Sequence, residues 1–261
     1  KNLIKNENLS SNINFENVDK NNLVIKNKDA IPIIKISDKR NFWVKNYFLD
    51  TCKEFFHFES KSLNEIKNFS FSHGNAQLIE EVVDTALNLI LHIINNKTIV
   101  LNFVFENCQS SYNEFKCLVF LPGLAEILYF CDKLENFLNF NNIKDYSIHP
   151  LHSQINNLNL DDLDPKKLNF LIATNIAESS ITIPNIGFIF DFCLTKEQNL
   201  RDRKTANLEL AWVSKASALQ RKGRTGRVNN GYCFFLLNSL FFNKLPEFIT
   251  PEIIRIPIDR L

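Results

Sequence analysis

The chain has no C-x-x-C pair, and no Cys/His set has the spacing of a zinc site, although Cys52, Cys108, Cys117, Cys131, Cys193 and Cys233 are present. Scattered cysteines of this kind read as free, mostly buried thiols in a reducing cytosol, rather than as metal ligands or a disulfide framework. No charge-free apolar run reaches the roughly 18 residues that a membrane span requires, and no signal peptide is visible. Methionine is missing altogether and the chain opens on Lys1, which predicts a piece of a longer protein. Also missing are G-x-x-x-x-G-K-[ST] and any acidic metal-binding motif, so nothing here cradles a nucleotide's phosphates or holds magnesium. The chain by itself is therefore expected not to hydrolyse a nucleotide. Excess charge is lacking as well: 30 Lys and Arg face 29 Asp and Glu, so no global signal marks a nucleic-acid binder.

What is present is a globular composition and one local charge anomaly. A length of 261 residues suits one large domain or two small ones, with a substantial core. From Leu210 to Pro246 there are Lys215, Arg221, Lys222, Arg224, Arg227 and Lys244, and no acid. Four of these fall in Gln220-Arg-Lys-Gly-Arg-Thr-Gly-Arg227. Its glycines permit tight turns and close approach of a ligand. Guanidinium groups spaced by three can share a face of a helical turn and converge on one anion, gripping phosphate with a planar fork. Alone, such an octet is as readily a solvated basic turn.

Taken in order, residues 1–29 are rich in Asn and Lys and read as a tail or the edge of a preceding domain. Ala30 to Asp50 reads as two short strands around Ser37-Asp-Lys-Arg40, and Cys52 to His73 is ambiguous. Leu78, Ile79, Val82, Val83, Ala86, Leu87, Ile90 and Leu91 recur at helical spacing and predict a helix over 75–95. Residues 97–116 read as an irregular insert holding one apolar run, Thr98 to Phe105. Strands are expected at 117–121, 146–151, 168–173, 187–192 and 231–237, with helices at 124–138 and 214–222. The strands are continuously apolar and alternate with helices, which is the pattern of an α/β parallel sheet covered on both faces. Ligands then bind beyond the carboxyl ends of the strands. There the sequence places Pro122-Gly123, His152-Ser153 and Thr174-Asn175.

Four segments resemble the motifs of the DEAH-box RNA helicases. Leu118-Val-Phe-Leu-Pro-Gly123 looks like motif IV, Pro150-Leu-His-Ser153 like motif IVa, Ala173-Thr-Asn-Ile-Ala-Glu-Ser-Ser-Ile-Thr182 like motif V, and Ser214 to Arg227 like motif VI. They come in the family's order over roughly Ala30 to the end. The resemblance implies a RecA-like parallel sheet with helices on both faces: the second RecA-like domain of an ATP-dependent RNA helicase over 51–250. Residues 30–50 resemble the linker and first strands, and 251–261 the start of a connection to a winged-helix region. Asp191-Phe-Cys-Leu-Thr-Lys196, where most members carry a glycine soon after the aspartate, looks most like the Tudor-domain-containing germline helicases of the small-RNA pathway (the spindle-E type). That resemblance implies transposon silencing through piRNAs, and a cytoplasmic, perinuclear germ-granule location.

Carried over by motif, Gln220, Arg224 and Arg227 face the phosphates of ATP, the arginines stabilising charge during phosphoryl transfer. Ser180 and Thr182 lie toward the nucleotide with Arg227. Ser153, Thr174 and Asn175 contact the backbone of single-stranded RNA, which positions a strand without reading bases. Glu178 reads as a network or helix-start residue and His152 as structural. Mg2+ is expected to be held mainly by the first RecA-like domain of the same chain, which, with small-RNA-pathway proteins, completes the implied partners; no membrane is among them. Two departures concern the nucleotide. Pro184 stands where many members carry an aspartate for the ribose, and Leu163 falls nearest the phenylalanine that stacks on adenine. Those departures keep open a second reading, a non-unwinding RNA-clamping or scaffold domain. Lys196 to Val213 resembles the family's β-hairpin, although a plain surface hairpin fits it nearly as well.

Overall fold

The computed structural model describes residues 42–66, 71–72, 76–106, 115–155, 163–179, 183–202 and 205–250. They belong to one compact unit beginning at Phe42. Of the two strands expected around Ser37-Asp-Lys-Arg40, the first lies outside the described residues, as do the segments 1–29 and 251–261, whereas the second is present as a strand over Val44–Phe48.

Six strands form one parallel sheet: β1 (Val44–Phe48), β2 (Phe115–Phe120), β3 (Tyr146–Leu151), β4 (Leu168–Ala173), β5 (Phe188–Asp191) and β8 (Gly231–Phe235), in the order β1-β8-β5-β2-β4-β3. β2, β4, β5 and β8 are buried at every position, which is why they read as largely apolar runs, with Lys116, Asn169 and Asp191 as buried polar positions. Aromatic side chains line up across the ladder. Phe190 stacks on Phe234 with ring centroids 4.9 Å apart, and Phe115 on Phe188 at 5.1 Å. β3 is the outer strand, so Pro150 costs the ladder little there.

The helices α1 (Lys61–Ile66), α2 (Glu80–Asn95), α3 (Lys97–Val104) and α4 (Leu124–Phe140) carry the chain toward the β3 edge, and α5 (Ile176–Ser179) and α6 (Lys215–Lys222) carry it back. Right-handed crossovers place those two groups on opposite faces. Between β5 and α6 the chain leaves the sheet as an antiparallel hairpin of β6 (Leu194–Asp202) and β7 (Thr205–Trp212). It is anchored by Trp212, whose Nε1 donates to the Ser72 carbonyl at 2.9 Å. A last short helix, α7 (Ser239–Lys244), follows β8 and is capped by Asn238.

Two expectations change. Residues 97–104 are helical, not irregular, because Val100, Leu101 and Val104 on one side are buried; burial of that stripe overrides the strand preference of its β-branched residues. The helix expected from Asn75 begins at Glu80, with Ile79 at its N-cap. No single helix among the described residues is long and apolar enough to cross a membrane.

Candidate functional site: a cleft above the strand ends and a basic turn below

The carboxyl ends of β2, β3 and β4 open into a cleft of about 630 Å³. Its floor is Leu121-Pro-Gly123, its walls are His152-Ser-Gln154 and Thr174-Asn-Ile176, and the base of the hairpin, Leu194-Thr-Lys196, closes the remaining side. The cleft lies where β2 leads its crossover one way and β5 the other, the usual place for a ligand in an open α/β sheet. Ser153, Thr174 and Asn175 all line this cleft. Ser153 and Asn175 are exposed, whereas the Thr174 hydroxyl turns back to accept from the Ile176 amide at 3.5 Å and starts α5. His152 Nδ1 accepts from the Gln154 amide at 3.2 Å, a turn-forming role that agrees with its structural reading.

A smaller hollow of about 340 Å³ adjoins the cleft and shares Asn175, Thr195 and Arg221 with it. Gln220 lines this hollow with Ser214 and Ser217, on the exposed side of α6. Ser214 caps α6 by accepting from the Ser217 amide at 3.2 Å.

Arg224 and Arg227 lie beyond α6, not on its last turn, since the helix stops at Lys222. They sit in the bend that leads back to β8, where Gly226 takes φ +74°. Burial first, and then the charge of Arg227, lower the affinity of Arg224 for its proton. Arg224 Nη2 donates to the Glu178 carbonyl, and Arg227 Nε to the Gly223 carbonyl at 3.0 Å. Thr225 Oγ1 donates to the Ile186 carbonyl at 2.5 Å and fixes the bend against the lead-in to β5. Arg227 is exposed and Lys222 half-buried. Ser180 and Thr182 lie outside the described residues.

Between cleft and bend lies a network that motif reasoning did not single out. Arg221 is 1% exposed. Its Nη1 donates to Asp191 Oδ1 at 2.9 Å and to the Leu194 carbonyl at 3.3 Å, its Nε to Glu178 Oε2 at 3.1 Å, and its guanidinium lies 5.1 Å from the Phe120 ring centroid. Burial works against the Arg221 charge, but Asp191 and Glu178 outweigh it and hold the group protonated. Ser217 Oγ lies 2.8 Å from both Glu178 oxygens, so Glu178 is a network residue, as expected. One signal was present in the sequence: Asp191 ends an apolar strand, and a buried carboxylate needs a cation. Among the described residues no group of three His, Cys, Asp or Glu could hold a metal ion.

The sheet, its helices and the motif-bearing turns are those of a RecA-like domain. The helicase conserved C-terminal domain family matches residues 96–229, slightly more than half of the chain, and the chain belongs to that family. Among curated proteins it is 35% identical over 215 residues to the ATP-dependent RNA helicase TDRD9 of Homo sapiens, covering 77% of this chain and 15% of that protein. It is 31% identical over 237 residues to the probable ATP-dependent RNA helicase spindle-E of Drosophila persimilis, covering 88% of this chain and 16% of that protein. The chain thus spans about a sixth of the length of these relatives. Among solved structures, the E. coli DExH-box NTPase HrpB shares the fold, with a TM-score of 0.55 at 22% identity over 82% of this chain and 22% of that one.

Proposed function

We propose that this chain supplies the second RecA-like domain, over 51–250, of an ATP-dependent RNA helicase that works in germline piRNA-mediated transposon silencing. Residues 30–50 would be its linker from the first RecA-like domain together with its first strands, among them β1, and 251–261 the start of its connection to a winged-helix region. The observation that carries the reading is the gathering of Ser153, Thr174 and Asn175 around one cleft at the strand ends. Hydroxyl and amide groups of this kind suit a sugar-phosphate backbone, and they position a strand without reading its sequence.

The basic bend fits ATP. Arg224 and Arg227 are three residues apart in one bend beyond α6, and a polyphosphate set between them would neutralise both charges. Gln220, Ser180 and Thr182 would complete this nucleotide face, and Mg2+ would come mainly with the first RecA-like domain. Single-stranded RNA and that first domain are the expected partners, together with small-RNA-pathway proteins in cytoplasmic germ granules. The piRNA assignment is supported by the resemblance to TDRD9 and spindle-E.

A second reading, an RNA-clamping or scaffold domain that binds ATP without unwinding, is favoured by one observation. Leu163, nearest the family's adenine-stacking position, is buried in the core and offers no ring. Hydrolysis assays on the full-length protein with and without single-stranded RNA decide between them. A helicase hydrolyses ATP faster when RNA is added and separates a duplex; a clamp retains RNA with ATP bound and separates none. Failure to bind either ligand would sink both.

A further inference from the structure

Resting on the helicase reading, we propose that Glu178, Ser217 and Arg221 are positioning residues that join the RNA cleft to the phosphate-facing arginines as one rigid unit. The candidate RNA contacts and Arg224 lie at opposite ends of a short piece of chain. α5 spans Ile176–Ser179. At its start the Asn175 carbonyl accepts from the Glu178 amide at 2.9 Å, and the Thr174 carbonyl from the Ala177 amide at 3.2 Å. Near its end the Glu178 carbonyl receives Arg224. A shift of Asn175 against RNA is therefore carried through a single helical turn to the atom that holds Arg224.

A lone turn of helix is not stiff by itself. Here the Glu178 side chain is clamped by Ser217 and Arg221 of α6, and Arg221 is in turn fixed to Asp191 at the end of β5. Arg221 lines both the cleft and the adjoining hollow. The clamp thus ties α5, α6 and the sheet together at the border between the two sites. Coupling between sites travels through hydrogen-bonded and packed elements of this kind, and in binding it is reciprocal. Loosening the clamp should therefore leave each ligand able to bind while weakening what one does to the other.

The test uses the full-length protein, a poly-uridine single strand and a non-hydrolysable ATP analogue. Glu178→Gln keeps the backbone carbonyl for Arg224 but removes the charge from the clamp, and Ser217→Ala removes one donor. Arg221 is left intact, because its loss would strand Asp191 buried without its cation. Measured are RNA affinity with and without the analogue, and ATP turnover with and without RNA. We expect Glu178→Gln to cut the effect of RNA on turnover, and of the analogue on RNA affinity, by about tenfold. Ser217→Ala should do the same to a smaller degree, and RNA affinity without nucleotide should stay within about twofold for both. Unchanged coupling in both variants overturns the proposal, as does a loss of RNA affinity that accounts for the whole effect. If the unsubstituted protein shows no stimulation by RNA, the helicase reading itself has failed, which is seen before any variant is made.

Discussion

Lys196 reaches from the base of the hairpin across Gly123 to Glu126 on the first turn of α4, with Nζ 2.8 Å from Oε2. A Cβ on residue 123 would come within 2.6 Å of Lys196 Nζ and 2.9 Å of Glu126 Oε2. The absence of a side chain at Gly123 thus leaves the room in which this ion pair crosses the cleft floor. Both partners are partly solvated, so the pair contributes only about 0–1 kcal/mol to stability, and its larger consequence is for ligands. Glu126→Gln should free Lys196 for a phosphate and raise RNA affinity, while Lys196→Ala should lower it and flatten the log–log salt dependence by about 0.7. Fluorescence titrations of the variants at several salt concentrations check this; equal affinities for both would count against an RNA strand passing over Gly123.

The bend of motif VI depends on Gly226. Its φ is +74°, and a Cβ there would stand 2.3 Å from Val44 Cγ2 on β1. Gly226→Ala meets both backbone strain and overpacking, and should destabilise the domain by about 2–4 kcal/mol. Adding Val44→Ala should recover part of that loss by opening the space, a non-additivity that chemical unfolding of the two single variants and the double variant would reveal.

Cys193 holds φ +56° two residues after Asp191, a backbone conformation that favours glycine. The Sγ approaches the Asp191 carbonyl at 3.5 Å and the side chain is fully buried. Glycine would relieve about 1 kcal/mol of backbone strain and give up a small buried side chain, so Cys193→Gly should shift unfolding by no more than about 1 kcal/mol. Cys193→Val, with a branched Cβ in the same conformation, should cost more than about 2 kcal/mol. Thermal melts that rank these two the other way would argue against the backbone explanation.

The sheet was legible because strands buried on both faces must be apolar throughout, as Cys117-Leu-Val-Phe-Leu121 is. α3 was not, because Thr98-Ile-Val-Leu101 has the branched side chains of a strand, and only the packing of Val100, Leu101 and Val104 decides for a helix. Likewise Ser153, Thr174 and Asn175 could be found from motifs carried on single segments. The Arg221 network could not, since Asp191 lies 30 residues and Glu178 43 residues from Arg221 in sequence. Their pairing becomes visible only once β5, α5 and α6 are set side by side.

Histidine burial predicts acid sensitivity. His92 lies among Phe55 and Phe58, and burial lowers its affinity for a proton below the ordinary value of 6.5. The same cause lowers His149 on β3. Neither Nε2 has a hydrogen-bond partner among the described residues. A group whose folded pKa is depressed contributes stability above its unfolded pKa, and that stability is lost as pH falls through the folded value. Stability should therefore decline as pH drops below about 6.5, and His92→Gln with His149→Gln should flatten the slope between pH 7 and 5. Urea unfolding across that range tests the sign; a slope identical to that of the unsubstituted chain would assign acid sensitivity to other groups.

The two arginines of the bend should separate by what else they hold. Arg227 is exposed, and its Nε donates to a carbonyl of its own turn, that of Gly223. Arg224 is 8% exposed and supports the Glu178 carbonyl. In the full-length enzyme, Arg227→Ala should lower kcat on the order of a thousandfold, the usual worth of an arginine at a transferring phosphate, with the melting temperature unchanged. Arg224→Ala should lower kcat comparably and also cost about 1 kcal/mol of stability, because a partly buried carbonyl loses its donor. Lysine should rescue neither, since a point charge does not reproduce the planar fork. Lys222→Ala, which removes a half-buried cation from the last residue of α6, should leave turnover nearly intact. Steady-state ATPase assays beside calorimetric melts read both quantities. Equal loss of turnover and RNA binding in Lys222→Ala and Arg224→Ala would reduce the octet to a basic patch and end its assignment to the phosphate.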